Sequence, residues 1–274
     1  MARAPNLFYR LVYQVAQSPL VIRSWYDQMS RLDRDADMIF MNYGWASLDP
    51  ADQSLTLQPE DEPNRYCIQL YHQVASAVDL HGQDVLEVGS GRGGGSSYIA
   101  RYLGPRSMTG LDFSPKAIEF CQRHYDVPGL HFVRGSAEDL DFADESFDAV
   151  VNVESSHCYP SMERFLAGVH RVLKPGGHFL YTDHRRRERV DLLRQQLEES
   201  ALTLLHEEDI GANVVRALEL DNARKQALIH SKVPRPLRGF FNEFAGMEGT
   251  NTSYARLSSG ASRYLRFVLR KPLA

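Results

Sequence analysis

The chain has little cysteine, no basic excess and no long apolar run, and each shortage closes off a class of function. Its three cysteines, Cys67, Cys121 and Cys158, stand far apart with no CxxC pair. That spacing excludes a disulfide framework or a zinc cluster and fits a reducing, cytoplasmic setting. Lys and Arg number 31 against 35 Asp and Glu, a net charge of −4. No cationic surplus is available to neutralise phosphates, so nucleic acid is not an expected partner. No stretch approaches the roughly 20 apolar residues that cross a bilayer. Arg10 and Gln14 interrupt the apolar N-terminal stretch and no small-residue cleavage site follows, so neither stable membrane insertion nor a signal peptide is expected. Internal repeats and low-complexity segments are absent as well, and nothing in the sequence sets an oligomeric state.

What the sequence does have is one organising stretch, VLEVGSGRGGGSSYIA, Val85 to Ala100. An apolar run broken only by Glu87 leads into Gly89, Gly91, Gly93, Gly94 and Gly95, and then into helix-compatible residues. Strand, glycine loop and helix open a nucleotide-binding α/β unit, because the loop aims backbone N–H groups and a helix N-terminus at a polar or anionic ligand. The glycines satisfy both GxGxxG and, with Glu87, ExGxGxG, so the loop alone does not choose between a dinucleotide and another nucleoside. A dehydrogenase reading is disfavoured further on: none of the 13 tyrosines is followed four positions later by lysine.

From Val85 strands and helices alternate, the pattern of a parallel sheet. Strands are expected at Ser107–Leu111, Leu130–Arg134, Phe147–Val153 and His178–Thr182, with helices Ser96–Leu103, Lys116–Tyr125 and Met162–Leu173 between them. Asp112 closes the second strand 19 positions past Gly93, where a carboxylate can accept both ribose hydroxyl protons. Ligands of open parallel sheets bind at the carboxyl ends of the strands. Glu87, Asp112, Gly135–Glu138, Glu154–Tyr159 and Asp183–His184 are therefore expected on one rim. Four regions follow: a helical N-terminal extension or lid (1–80), a cofactor-binding core (81–185), a helical insert or substrate cap (186–238), and the final strands of the core sheet (239–274), including one at Phe240–Met247. Residues 6–31 read as two short amphipathic helices, either a packed extension or a lid whose aromatic side chains line an apolar pocket.

The stretches LEVGSGRGG, GLDFS, GSAEDLDF, FDAVVNVESSHCYP and LKPGG, in that order, resemble class I S-adenosylmethionine (SAM) methyltransferases. DEPNRYCIQLYH, RFLAGVHRVLKPGGHF and EFAGMEGT extend the likeness to the phthiotriol and phenolphthiotriol dimycocerosate O-methyltransferases and related polyketide-tailoring methyltransferases. The resemblance implies a Rossmann-like sheet, mostly parallel with an antiparallel last strand, and SAM as cofactor. It assigns Glu87 and the loop glycines Gly89, Gly91 and Gly93 to the methionine part, Asp112 to the ribose, Phe113 to the adenine face, Ala137 and Glu138 to the adenine edge, and Asn152 to a place beside the methionine. One departure is Ser136, where many relatives carry Asp; adenine recognition then rests more on Glu138 and backbone. The implied activity is O-methylation of a hydroxyl or enol on an apolar, polyketide-like or lipidic secondary metabolite. C- or N-methylation of a similar molecule, or SAM binding without turnover, are the alternatives.

An alcohol acceptor must lose its proton as it attacks, and a His of ordinary pKa near 6.5 suits that task. His157, after the fourth strand, is the first candidate base; His184, at the end of the fifth, is the second. Asp183 is placed to orient either imidazole, as an acidic partner does for a general base. The same three side chains offer metal-ligand chemistry, but a metal-free site is the reading carried forward. The run Arg185, Arg186, Arg187 and Arg189 is either a solvated helix start or a holder for an acidic substrate group.

Overall fold

The structure, a computed structural model, describes residues 38–49, 51, 55–235, 238–250 and 253–273. The expected helices within 6–31 lie outside these residues. Helix α1 (Arg65–Ala75) leads into a sheet of β1 (Asp84–Val88), β2 (Ser107–Asp112), β3 (Leu130–Arg134), β4 (Phe147–Val153), β5 (Leu173–Arg186), β6 (Thr203–Asp209) and β7 (Ser262–Arg270). Strand order is β3-β2-β1-β4-β5-β7-β6. The first five strands pair in parallel, and β7 runs antiparallel between β5 and β6. The other helices are α2 (Gly94–Tyr102), α3 (Pro115–His124), α4 (Met162–Val172), α5 (Val190–Glu198), α6 (Gly211–Lys232), α7 (Arg238–Phe244) and α8 (Ser253–Ser258).

The strands alternate between two apolar layers, as period-2 geometry requires of a sheet covered on both faces. Val85, Leu180 and Val268 face the layer of α1, α2 and α6, with Ile68, Val74, Ile99 and Val214. Leu86, Phe179, Tyr181 and Phe267 face the layer of α4 and α5, with Phe165, Val169, Leu193 and Leu197. Helix starts follow local chemistry. Ser114 accepts the Ala117 N–H at 3.2 Å ahead of Pro115, and Ser161 accepts that of Arg164 at 3.1 Å.

Two expectations fail. The segment Phe240–Met247, expected as a strand, is mostly helical: α7 ends at Phe244. The 186–238 insert is not all helix, since β6 lies inside it and forms the sheet edge. The region 239–274 accordingly supplies one strand, β7, not several. The fifth strand is also longer than its apolar run. Pairing Asp183 with Leu265, His184 with Tyr264 and Arg186 with Ser262 carries β5 past the expected end at Thr182.

Candidate active site

The carboxyl ends of β1, β2 and β4 converge under the glycine loop. Gly89 has φ +80°, and a Cβ there would lie 2.3 Å from Ser155 Oγ and 2.8 Å from the Tyr159 hydroxyl oxygen. No side chain fits a position that combines left-handed backbone with such close approach. Asp112 at the end of β2 locks the loop: its carboxylate accepts the N–H of Gly91 and that of Ser114, each at 2.8 Å. Gly89, Gly91, Asp112, Phe113, Ala137 and Glu138 line one cavity, closed on another side by Ile39, Phe40, Met41 and Asn42. Phe113 is 42% exposed, with the Arg134 guanidinium 5.9 Å above its ring. Ser136 is on the same wall and accepts the Glu138 N–H at 3.2 Å.

Three residues expected at the cofactor lie beneath this wall. Gly93 is the left-handed N-cap of α2. Glu87 is fully buried, accepting a hydrogen bond from Tyr71 at 2.7 Å and another from Ser96; burial pushes its carboxyl up to about 7. Asn152, also fully buried, donates to the Val88 carbonyl at 2.8 Å, to Ser155 at 2.8 Å and to Tyr159 at 3.0 Å. It supports the wall residues Ser155 and Tyr159.

A second cavity, of about 890 Å³, opens beside the first. Met41, Glu154, Cys158, Tyr159 and Pro160 line both and form the neck between them. Glu154 holds φ +47°, unusual for a side-chain-bearing residue. Its carboxylate accepts the Tyr43 N–H at 2.7 Å and the Tyr264 hydroxyl, and burial raises it to about 7.

His157 and His184 line the second cavity, and Asp183 lies behind them, fully buried. Asp183 accepts the His157 Nδ1 hydrogen at 2.8 Å, the His157 backbone N–H at 2.9 Å, the Ser156 hydroxyl at 2.6 Å and the His184 N–H at 2.8 Å. The Arg185 guanidinium is 3.0 Å away. Burial acts to raise the Asp183 carboxyl, but the positive charges of His157 and Arg185 outweigh it and hold it well below the usual range. Burial acts to lower His157; the Asp183 charge overrides it and holds that imidazole well above its ordinary value. His184 moves the other way, down to about 3, through burial first and then the charge of His157. Its ring stacks on Tyr43, centroids 5.6 Å apart, and lies 4.5 Å from that of His157.

The three acid–base candidates are thus brought together with different characters. With Nδ1 committed to Asp183, His157 keeps Nε2 for a ligand. His184 stays neutral and is a weak base. Ligand atoms of all three lie within 4.8 Å of one another, but the one carboxylate already serves a guanidinium and four N–H or O–H donors. A dication would have to displace these, so the donor set is poorly suited to a metal. Sequence reasoning did not find the roles of Ser156, Tyr181 and Arg185, which bond one another from separate segments: Ser156 Oγ is 2.7 Å from the Tyr181 hydroxyl and 2.8 Å from Arg185.

Residues 86–181 match the family described as Methyltransferase domain. The phthiotriol/phenolphthiotriol dimycocerosates methyltransferase of Mycobacterium leprae is 43% identical over 251 residues, covering 92% of this chain and 92% of that protein. The chain belongs to the SAM-dependent methyltransferases. The fatty-acid O-methyltransferase of Mycolicibacterium smegmatis is 39% identical, covering 96% of this chain and 94% of the relative. Among solved structures, the cyclase SpnF overlays with a TM-score of 0.68 at 20% identity, covering 94% of this chain and 97% of that one. The geranyl diphosphate C-methyltransferase of Streptomyces coelicolor gives 0.65 at 16%, covering 92% and 97%. These two speak to the fold. The methyltransferase takes SAM as cofactor, and its first cavity suits that molecule. Ser90 Oγ on the wall and Asn152 Oδ1 beside it are buried polar atoms without a hydrogen-bond partner among the described residues, which a polar ligand can satisfy.

Proposed function

We propose that this methyltransferase moves the methyl of SAM to an oxygen, a hydroxyl or enol, of an apolar, lipid-like small molecule of the polyketide kind. The observation that carries the reading is His157, backed by the buried Asp183, on the wall of a large cavity that shares Met41, Glu154, Cys158, Tyr159 and Pro160 with the cofactor cavity. The relatives named for phthiotriol and fatty-acid methylation support a lipid-like acceptor.

When bound, SAM supplies an electrophilic methyl on a sulfonium. Asp112, fixed by Gly91 and Ser114, would accept the ribose hydroxyl protons. Phe113 offers its exposed ring to the adenine, while Ala137 and Glu138 border the adenine edge. Gly89 and Gly91 border the methionine part with their backbone, and Glu87, Gly93 and Asn152 hold that loop from below. Tyr159, Cys158 and Glu154 surround the neck, where acceptor and methyl meet in line with little water. His157 Nε2 takes the acceptor proton as the oxygen attacks, and Asp183 stabilises the imidazolium formed. An oxygen acceptor is favoured over carbon or nitrogen because this pair accounts for the hydroxyl proton.

The test is transfer of labelled methyl from SAM to a hydroxylated long-chain acceptor. His157→Ala should lower kcat about 10²–10⁴-fold with SAM affinity kept. Turnover at the wild-type rate in that variant removes His157 as the base.

A further inference from the structure

Tyr181, Asp183 and Arg185 alternate along β5, and period-2 geometry sets all three on one face of the strand. Pairing of Asp183 with Leu265 and of Arg185 with Arg263 keeps the strand regular to that point. Arg185 is turned inward: its side chain is 14% exposed, against 53% for that of Arg186. Both of its terminal nitrogens are taken. Nη1 donates to the His184 carbonyl at 2.8 Å and lies 3.0 Å from Asp183 Oδ2. Nη2 donates to Ser156 Oγ at 2.8 Å and to the Tyr181 hydroxyl oxygen at 3.1 Å. Ser156, from the short turn Ser156–Cys158 that follows β4, gives its own hydroxyl hydrogen to Asp183 Oδ2 at 2.6 Å. The two oxygens of Asp183 therefore have separate partners. Oδ2 takes Arg185, Ser156 and the His157 backbone N–H, while Oδ1 takes the His157 Nδ1 hydrogen and the His184 N–H. A carboxylate held at both oxygens does not rotate, so the His157 ring is fixed in one tautomer and one orientation.

Charge acts together with aim. Asp183 favours the imidazolium of His157, and an imidazolium is no base. A guanidinium on the same carboxylate draws on that negative charge and repels the imidazolium, so the two cations compete for Asp183. The other titratable groups around the pair are Glu154, Cys158 and Tyr159 from the end of β4 and the turn after it, Tyr181 and His184 from β5, Tyr43 from the segment before α1, and Tyr264 from β7. Across the cavity stand Arg186, Glu188 and Arg189, Glu243 of α7 and Arg256 of α8. Of all these cations, His157 and Arg185 are the ones that ion-pair with Asp183 among the described residues.

We propose that Arg185 is a positioning residue of the methyl transfer: it aims the Asp183 carboxylate at His157 and takes a share of its charge, so that His157 gives up its Nε2 proton and becomes a base at a lower pH than Asp183 alone would permit. The inference deepens the reading of His157 as the base and rests on it. It divides the arginine run of the sequence: the first member turns inward to the acid–base pair, while Arg186, Arg187 and Arg189 stay exposed.

The experiment is NMR titration of the His157 imidazole in the protein saturated with S-adenosylhomocysteine, beside the pH profile of kcat. The chain has 10 histidines, so the His157 signals are identified by their loss in His157→Gln. Wild type is compared with Arg185→Gln, which keeps donors for Ser156 and Tyr181 but no charge, and with Arg185→Lys, which keeps the charge but not the fork. In Arg185→Gln the His157 midpoint should rise by about 1 in pH, a gain of about tenfold in proton affinity. The rise of kcat should move with it, and KM for a hydroxylated long-chain acceptor should stay within about twofold of wild type. In Arg185→Lys the midpoint should stay near that of wild type while kcat falls. Unchanged affinity for S-adenosylhomocysteine reports that each variant is folded. A midpoint in Arg185→Gln that is unchanged or lower, or a loss carried by KM alone, overturns the inference. Should that variant fail to bind S-adenosylhomocysteine, the wild-type protein decides: separate Nη-hydrogen signals for Arg185, as a clamped guanidinium gives, support the inference, and one averaged signal overturns it. A flat kcat profile with the imidazole midpoint shifted as expected would fail the base reading and not the coupling to Arg185.

Discussion

Asp183 is the residue on which the proposed chemistry turns. Five donors from four residues converge on it: Ser156, both nitrogens of His157 that face it, His184 and Arg185. Its negative charge favours the imidazolium of His157 and thereby sets a pH dependence. A raised imidazole contributes stability that is whole below its unfolded value of about 6.5 and is lost as pH climbs through the folded value. The depressed carboxyl contributes stability above about 3.9 and loses it as pH falls through its own folded value. Between those limits the ion pair is intact. Catalysis needs the opposite form of the imidazole, since a base must be neutral. The pH profile of kcat should therefore rise into the alkaline range with an apparent pKa above 6.5, and Asp183→Asn should shift that rise to lower pH while lowering its plateau. A flat profile from pH 6 to 9, taken as roughly the working range, would count against His157 as the proton acceptor. His157, Asp183 and His184 were legible singly, because each follows an apolar run that reads as a strand. Their different characters were not, because burial and Arg185 create them.

At the level of elements, the glycine loop was legible because close approach leaves a signature in residue type. The Gly89→Ala variant tests it: the new Cβ would meet Ser155 Oγ at 2.3 Å on a backbone of φ +80°. Stability should drop by about 1–3 kcal/mol from backbone strain alone, and the affinity for SAM should fall with it; a melting temperature and cofactor affinity equal to wild type would contradict the packing described. β4 was read with its observed ends, Phe147 and Val153, since a strand buried on both faces is a continuous apolar run. β6 was not seen. It is a largely exposed edge strand whose sequence, TLLHEED, has neither alternation nor an apolar run. The opposite error came at Phe240–Met247, where an aromatic-rich stretch suggested a strand but the helix Arg238–Phe244 takes up its first half; local composition does not separate the two over so few residues. The extension of β5 to Arg186 was hidden as well, because charged residues are held there by pairing with β7.

For the molecule as a whole, the strand order brings residues distant in sequence to one rim and sets two cavities side by side there. The cofactor side was legible because it is built from contiguous motifs. The acceptor side was not, since its wall draws on Met41, Met162, Leu192 and Arg256 from four separate segments. Among the described residues no helix is long and apolar enough to cross a membrane. The central claim is that the methyl passes through the neck to an oxygen whose proton leaves to His157. Its most direct test is the NMR spectrum of product formed with 13C-methyl SAM and a hydroxylated long-chain acceptor, run in parallel with wild type and His157→Ala. The expected result is a methyl carbon bonded to oxygen in the wild-type product and almost none from the variant. A methyl on carbon or nitrogen, or the same yield of methyl ether from both proteins, would contradict it.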